Sequence, residues 1–300
     1  MSFFFASIPA PPSNSFSIGP LTFNYYGLMI ALGVLAAVEM GRRRWEARGG
    51  DPDDITSIAT VGVPAGLIGA RLYHVVTDWK MYTDAPLDVF KIWNGGLGIP
   101  GGLLIGIAAG AWQARRKGIT GDRLWDLIDA VIPGIPVAQA IGRIGNWFNQ
   151  EIFGGPSDLP WALEVDRQFR PAEYVDFETF HPAFLYEALL NLCLAGGLIL
   201  LDRRKLLGRG QILPLWIAGY GLLRFLIEAL RTDPASLVLG IRVNHWISGL
   251  AVAIGLLWFR QMRRRDAIEA AEITSFEDLS ADDPMDPEAA TAVVDDSDPA

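Results

Sequence analysis

Metal and thiol chemistry have few residues to work with in this chain. It has one cysteine, Cys193, and three histidines, His74, His181 and His245. A single cysteine forms no intrachain disulfide, and neither an HExxH nor a CxxC spacing is present, so no metal site and no cofactor are expected. Cys193 lies in an apolar run and reads as core. The N-terminal stretch MSFFFASIPAPPSNSF has no positive charge. It is therefore not expected to be a signal peptide and reads as a segment lying at an interface. Charge is scarce throughout: 20% of residues are charged against 51% hydrophobic, with 10 Trp and a mean hydropathy of +0.26. That composition excludes an ordinary soluble domain and indicates a multi-pass membrane chain.

The net charge of -9 belongs to one end. Twelve of the 34 acidic residues follow Arg265 and no basic residue does, which leaves 22 acidic against 25 basic residues, a net of +3, in the body. Residues 266–300 are acidic, rich in Ala, Asp and Pro and without apolar periodicity, so a disordered cytoplasmic tail is expected there. Residues 1–265 form the expected transmembrane domain.

Seven apolar runs are long enough to cross a bilayer, at about 24–41, 55–76, 96–114, 123–144, 182–201, 211–230 and 243–260. Backbone hydrogen bonding in lipid requires each to be helical, so the expected fold is an all-α integral membrane protein of seven transmembrane helices. Sixteen basic residues follow runs one, three, five and seven: Arg42, Arg43, Arg44 and Arg48; Arg115, Arg116, Lys117 and Arg123; Arg203, Arg204, Lys205 and Arg209; Arg260, Arg263, Arg264 and Arg265. The opposite loops carry few, among them Lys80, Lys91, Arg167, Arg170 and Arg242. The positive-inside rule then puts the N-terminus outside and the C-terminus in the cytoplasm. Of the outer loops, 77–94 is an aromatic belt, and 145–181, the longest, is expected to form a small cap.

GRIGNWFNQEIFGG places Arg143, Asn146, Asn149 and Glu151 at the end of an apolar run. Ionisable side chains at that depth are costly and point to function. Arg143 can grip a phosphate with two prongs, Asn146 and Asn149 can donate to ester or phosphate oxygens, and Glu151 can accept a proton. Gly154 lets backbone approach a ligand. The competing reading is a helix end whose Arg reaches out to water. In YGLLRFLIEALR, Tyr220, Arg224, Glu228 and Arg231 are spaced by 4, 4 and 3, which confines them to one helix face. Two Arg against one Glu leave a positive charge for an anionic ligand, against the alternative of a self-satisfied ladder between helices. HPAFLYE puts Tyr186 and Glu187 one turn into a helix, either lining substrate or as interfacial residues. Arg71 is expected to pair with a carboxylate of a neighbouring helix. Gly96, Gly98 and Gly101 spell GxGxxG, but no strand precedes them, Pro100 interrupts them and no βαβ unit follows, which excludes a dinucleotide fold. Close helix packing or a broken helix start lining a polar cavity remains.

Taken together, YYGLM from Tyr25, GARLY, NGGLGIPGG, GRIGNWFNQEIFGG, HPAFLYE and YGLLRFLIEALR resemble the prolipoprotein diacylglyceryl transferase family over about residues 20–260. The resemblance implies a bacterial plasma-membrane enzyme with its site open to the extracytoplasmic side. Such an enzyme moves diacylglyceryl from phosphatidylglycerol to the lipobox cysteine thiol of a preprolipoprotein and releases glycerol 1-phosphate. It also implies Tyr26, Arg143, Asn146, Glu151, Gly154, Tyr220, Arg224, Glu228 and Arg231 as important residues. Many family members carry a His where this chain has Pro100, so a mechanism requiring that His cannot operate here. Arg143 and Arg224 are expected to clamp the lipid phosphate, with Asn146 and Tyr220 as neutral donors, while the proton acceptor stays open among Glu151, the phosphate and water. A side opening is expected near the third run or the 145–181 loop. The expected partners are phosphatidylglycerol, lipobox peptides and the bilayer, without nucleic acid, and the protein is expected to be a monomer. An anionic-lipid transporter or flippase, or a receptor-like binding protein, is the alternative.

Overall fold

The computed structural model describes residues 7–92, 95–232 and 235–282. Its order is hairpin β1–β2 (Ser15–Ile18, Leu21–Asn24), α1 (Tyr25–Glu46), α2 (Pro52–Thr77), α3 (Ile99–Arg116), α4 (Gly121–Val131), α5 (Gly134–Phe148), β3 and β4 (Leu163–Glu164, Thr179–Phe180), α6 (Ala183–Arg203), α7 (Ile212–Glu228), hairpin β5–β6 (Leu237–Val238, Ile241–Arg242) and α8 (Val243–Asp282). The chain is mostly helical. Tyr25–Glu46, Pro52–Thr77, Gly121–Phe148 and Ala183–Arg203 are long and apolar enough to cross a membrane.

Small residues bring the helices together. A Cβ on Gly33 would lie 2.9 Å from the Ala138 carbonyl oxygen, and one on Gly145 would lie 2.7 Å from the Tyr26 ring. α1 and α5 therefore pack antiparallel, which sets Tyr26 beside the end of α5. The Gly69 and Gly101 backbones touch in the same way, each added Cβ falling within 2.4 Å of the other's carbonyl oxygen. The glycines of the third run thus serve close packing of α2 on α3. Pro100 stands in the first turn of α3, where its missing N–H costs nothing.

The basic ends converge. Asp202 accepts Arg44 and Arg48 at 2.9 and 2.7 Å, Arg209 pairs with Asp122 and Asp126 at 2.8 and 2.9 Å, and buried Asp129 caps α7 through Gly210 N and Ile212 N. At the opposite end, Phe153, Leu163, Val165, Phe180 and Phe184 close a small core under the 145–181 segment.

Several expectations are corrected. The fourth run is two helices, because Pro133 lacks an N–H and its ring would clash with a continuing helix. α8 extends as helix from Val243 to Asp282 and so takes in the first part of the 266–300 segment. The remainder of the expected tail, 283–300, lies outside the described residues, as do residues 1–6 of the interfacial segment and Trp93 and Asn94. Among the described residues Arg71 meets no carboxylate: it donates to the carbonyls of Asp88, Val89, Lys91, Gly95 and Gly96 and so pins the loop after α2. Cys193 is exposed on the helix surface rather than in the core.

Candidate active site

α5 ends where its polar residues begin. Arg143 and Asn146 lie in its last two turns and Asn149 is its C-cap. The backbone then turns sharply, with Gln150 at φ 51° and Ile152 at φ 56°. A β-branched residue in the left-handed region is strained, and strain of this kind is held only where surrounding contacts impose it. The contacts here are Gln150 Nε2 donating to Asp166 Oδ2 at 2.6 Å and Asp166 N donating to Gln150 Oε1 at 2.7 Å. Glu151, between the two strained residues, is thereby turned back toward α5. Its Oε1 accepts from Asn146 Nδ2 at 2.8 Å and from Asn149 Nδ2 at 3.1 Å. Asn146 Oδ1 accepts from Arg143 Nη1 at 3.0 Å, and Arg143 Nη2 donates to Glu187 Oε1 at 2.5 Å. Glu187, which the sequence suggests as a substrate contact, is fully buried and holds Arg143.

The second half is built around Glu228. Its Oε2 lies 2.6 Å from Arg224 Nη2, and its Oε1 accepts from Arg242 Nε at 2.6 Å and from Asn244 Nδ2 at 3.2 Å. Two hydrogen-bond donors on one oxygen and an ion pair with Arg224 on the other explain how this buried carboxylate stays inside. Arg242 and Asn244 were not picked out as site residues from sequence, where Arg242 reads as a loop cation. Their spacing of two on either side of Val243, just before an apolar run, is the signal that could have found them. Arg231 is not on the α7 face: the helix ends at Glu228, and Arg231 pairs through its backbone with Gly154 as an antiparallel bridge. Its carbonyl accepts from Arg242 Nη1 at 2.9 Å. That bridge joins the two halves, and Gly154 is required in it, because a Cβ there would lie 2.8 Å from both His181 Cβ and the Leu230 oxygen.

Tyr220 sits between the halves. The charges of Glu187, Arg143, Arg224 and Arg231 all act on its hydroxyl, and those of Glu151 and Arg143 act on that of Tyr26. The charges of Arg143 and Arg224 thus both reach Tyr220. Each has a carboxylate of its own, yet Arg224 Nη1 and Glu187 Oε2 are buried and find no hydrogen-bond partner among the described residues. Arg143 and Arg224 keep about a fifth of their side-chain surface open (20% and 17%), and Tyr26 and Glu151 stand exposed at the edge. Planar guanidinium groups in such a cluster suit a phosphate ester, and Tyr26 and Glu151 form its exposed edge.

Residues 13–260 match the family model described as prolipoprotein diacylglyceryl transferase. The chain is 44% identical over 270 residues to the phosphatidylglycerol--prolipoprotein diacylglyceryl transferase of Corynebacterium efficiens, covering 86% of this chain and 83% of that one. It is 45% identical over 252 residues to the protein of that name from Cutibacterium acnes, covering 83% and 84%. To phosphatidylglycerol--prolipoprotein diacylglyceryl transferase 2 of Streptomyces coelicolor it is 46% identical over 249 residues, covering 82% and 77%. With more than two thirds of each relative matched at these identities, the chain belongs to the prolipoprotein diacylglyceryl transferase family.

Proposed function

We propose that this protein transfers the diacylglyceryl group of phosphatidylglycerol to the cysteine thiol of a prolipoprotein lipobox. The observation that carries the reading is that Arg143 and Arg224, on separate helices and each anchored by a buried carboxylate, both act electrostatically on the Tyr220 hydroxyl. A thioether forms between sulfur and the glycerol carbon that carries the phosphate. As that carbon–oxygen bond breaks, its electron pair leaves with glycerol 1-phosphate. Negative charge grows on the leaving oxygens, and preorganised guanidinium donors aimed there supply the main catalytic stabilisation. Arg143 and Arg224 hold the phosphate, and Tyr220, Tyr26, Asn146 and Asn149 are neutral donors around it. Glu187, Glu228, Arg231 and Arg242 hold those groups in position, and Gly154 keeps the two halves in register.

The thiolate is the nucleophile, so a proton must leave the cysteine. Glu151 takes it in this reading: the carboxylate is exposed at the edge of the cluster, and two amide donors on one oxygen fix its direction. With Pro100 in place of the family His, no imidazole from that block competes for the role.

Seven membrane crossings fit the packing. Beyond the four long spans, α3 and α8 present continuous apolar faces, such as Ile99, Leu103, Leu104 and Ile107, and Ile247, Leu250, Ile254 and Leu257. α7, packed between α6 and α8, completes the set. The arginine-rich ends lie opposite the site, so the positive-inside rule turns the site to the extracytoplasmic face of a bacterial plasma membrane, with the N-terminus outside and α8 leaving into the cytoplasm. Residues 1–265 act as one catalytic unit, a monomer, with 145–181 as its outer cap and no cofactor.

The test is incubation of the purified protein in phosphatidylglycerol vesicles with a lipobox peptide. Mass spectrometry is expected to show a diacylglyceryl thioether on the peptide, with glycerol phosphate released in equal amount. Lipid that is bound or moved between leaflets without any thioether would contradict the reading.

A further inference from the structure

The three helices that meet at the site each carry another polar side chain one turn further in. On α5 it is Gln139, four residues before Arg143; on α6 Asn191, four after Glu187; on α7 Trp216, four before Tyr220. A step of four keeps a side chain on the same helix face and moves it by roughly 6 Å along the axis. α5 and α7 end at the site and α6 begins there, so all three steps lead away from the site end into the bundle. The Arg143–Glu187 contact at 2.5 Å sets the register of α5 against α6, and Trp216 stacks on Tyr220 with centroids 5.9 Å apart.

Gln139 Oε1, Asn191 Oδ1 and Trp216 Nε1 are buried and have no hydrogen-bond partner among the described residues. Asn191 is fully buried, and its Nδ2 donates to the Glu187 carbonyl at 2.9 Å, which fixes Oδ1 as the outstanding acceptor. Further in, Trp216 packs on an apolar cluster of Ile132, Leu198 and Ile212, which offers it no polar partner. Native interiors seldom leave such groups unmet, so a layer of three asks for a ligand.

One N–H donor and two carbonyl acceptors define the chemistry. A phosphate or ester oxygen would satisfy only the indole, and an ammonium only the amides. A hydroxyl accepts from one and donates to the other. The headgroup of phosphatidylglycerol is a glycerol with two free hydroxyls, attached to the phosphate that the guanidiniums would hold, and it spans about one helical turn, roughly 5 Å. We propose that Gln139, Asn191 and Trp216 form a hydroxyl-reading pocket that receives the headgroup glycerol and selects phosphatidylglycerol among phospholipids. This rests on the transferase reading above.

The test compares phosphatidylglycerol with phosphatidylpropanol, which has the same charge but no headgroup hydroxyl, as donors to a lipobox peptide with the intact enzyme in vesicles. The wild type is expected to favour phosphatidylglycerol in kcat/KM by about tenfold or more, the scale of one lost buried hydrogen bond. Asn191→Leu and Trp216→Phe, with Gln139→Met as a further volume-conserving variant, are expected to lower kcat/KM for phosphatidylglycerol about tenfold and for phosphatidylpropanol less than about twofold. Equal use of the two lipids by the wild type, or an equal loss on both lipids in the variants, would overturn the pocket and leave the layer to ordered water. Absence of thioether from either lipid with wild type would instead strike the transferase reading, and this inference with it.

Discussion

Arg143 Nη2 lies 2.5 Å from Glu187 Oε1, and the carboxylate comes from a fully buried residue on another helix. The guanidinium is thus aimed before any lipid arrives, which is what preorganisation requires. Glu187→Gln keeps the shape and removes the charge that holds Arg143. The expected result is a fall in kcat of about tenfold or more with KM changed less, since a loosened donor matters most when charge develops. Glu187→Ala leaves Arg143 without its partner and is expected to cost on the order of 3 kcal/mol, read as a lower midpoint of thermal unfolding in detergent.

Arg224 reaches Glu228 with one nitrogen, while its Nη1 is buried with no hydrogen-bond partner among the described residues. Lysine retains the charge but not the planar fork. Arg224→Lys is therefore expected to lower kcat/KM by about 100-fold, the scale of one lost transition-state donor. Steady-state transfer to a lipobox peptide measures it, and activity near wild type would remove Arg224 from the clamp.

Arg242 shares the same carboxylate at 2.6 Å. Arg242→Ala leaves Glu228 with Arg224 and Asn244, so Arg224 is drawn toward Glu228 and away from the ligand. A drop in kcat/KM of about tenfold is expected, with partial recovery in Arg242→Lys, because charge compensation there matters more than geometry.

Glu151 carries the proposed proton-accepting role. In Glu151→Gln the amide still occupies the place between Asn146 and Asn149 but accepts no proton. The variant should lose most of its activity, and the pH profile of what remains should differ from that of the wild type. An unchanged profile would pass the role to the lipid phosphate or to water.

Gly154 pairs through its backbone with Arg231, and an added Cβ would lie 2.8 Å from both His181 Cβ and the Leu230 oxygen. Gly154→Ala must separate the strands and shift Arg231 relative to α5. The expected cost is about 1–3 kcal/mol in stability, with transfer reduced further than stability explains; both are read on the same purified sample.

The apolar runs and the α5 constellation were legible because each is local: a period or a cluster within a dozen residues. Tyr26, Arg143, Asn146, Glu151, Tyr220 and Arg224 are brought to one end of the bundle as their positions along the runs imply. Partnership was harder to read. Arg71 looked as though it needed a carboxylate, yet five carbonyls of a loop serve a guanidinium equally well. Arg231 fits the α7 face by spacing, but the helix ends three residues before it, and nothing local marks that stop. The Pro133 break was visible as a proline and hidden by the hydrophobicity around it. Arg242 and Asn244 meet Glu228 only through the turn of β5–β6, a contact that periodicity does not encode.

The account stands on two guanidinium groups acting on one phosphate, and a double-mutant cycle on Arg143→Lys and Arg224→Lys addresses that most directly. If both hold the same leaving group, the loss in kcat/KM of the double variant will be smaller than the product of the single losses, by a coupling of about 1 kcal/mol or more. Losses that simply multiply would mean that the two arginines act on different things, and the shared clamp would be wrong.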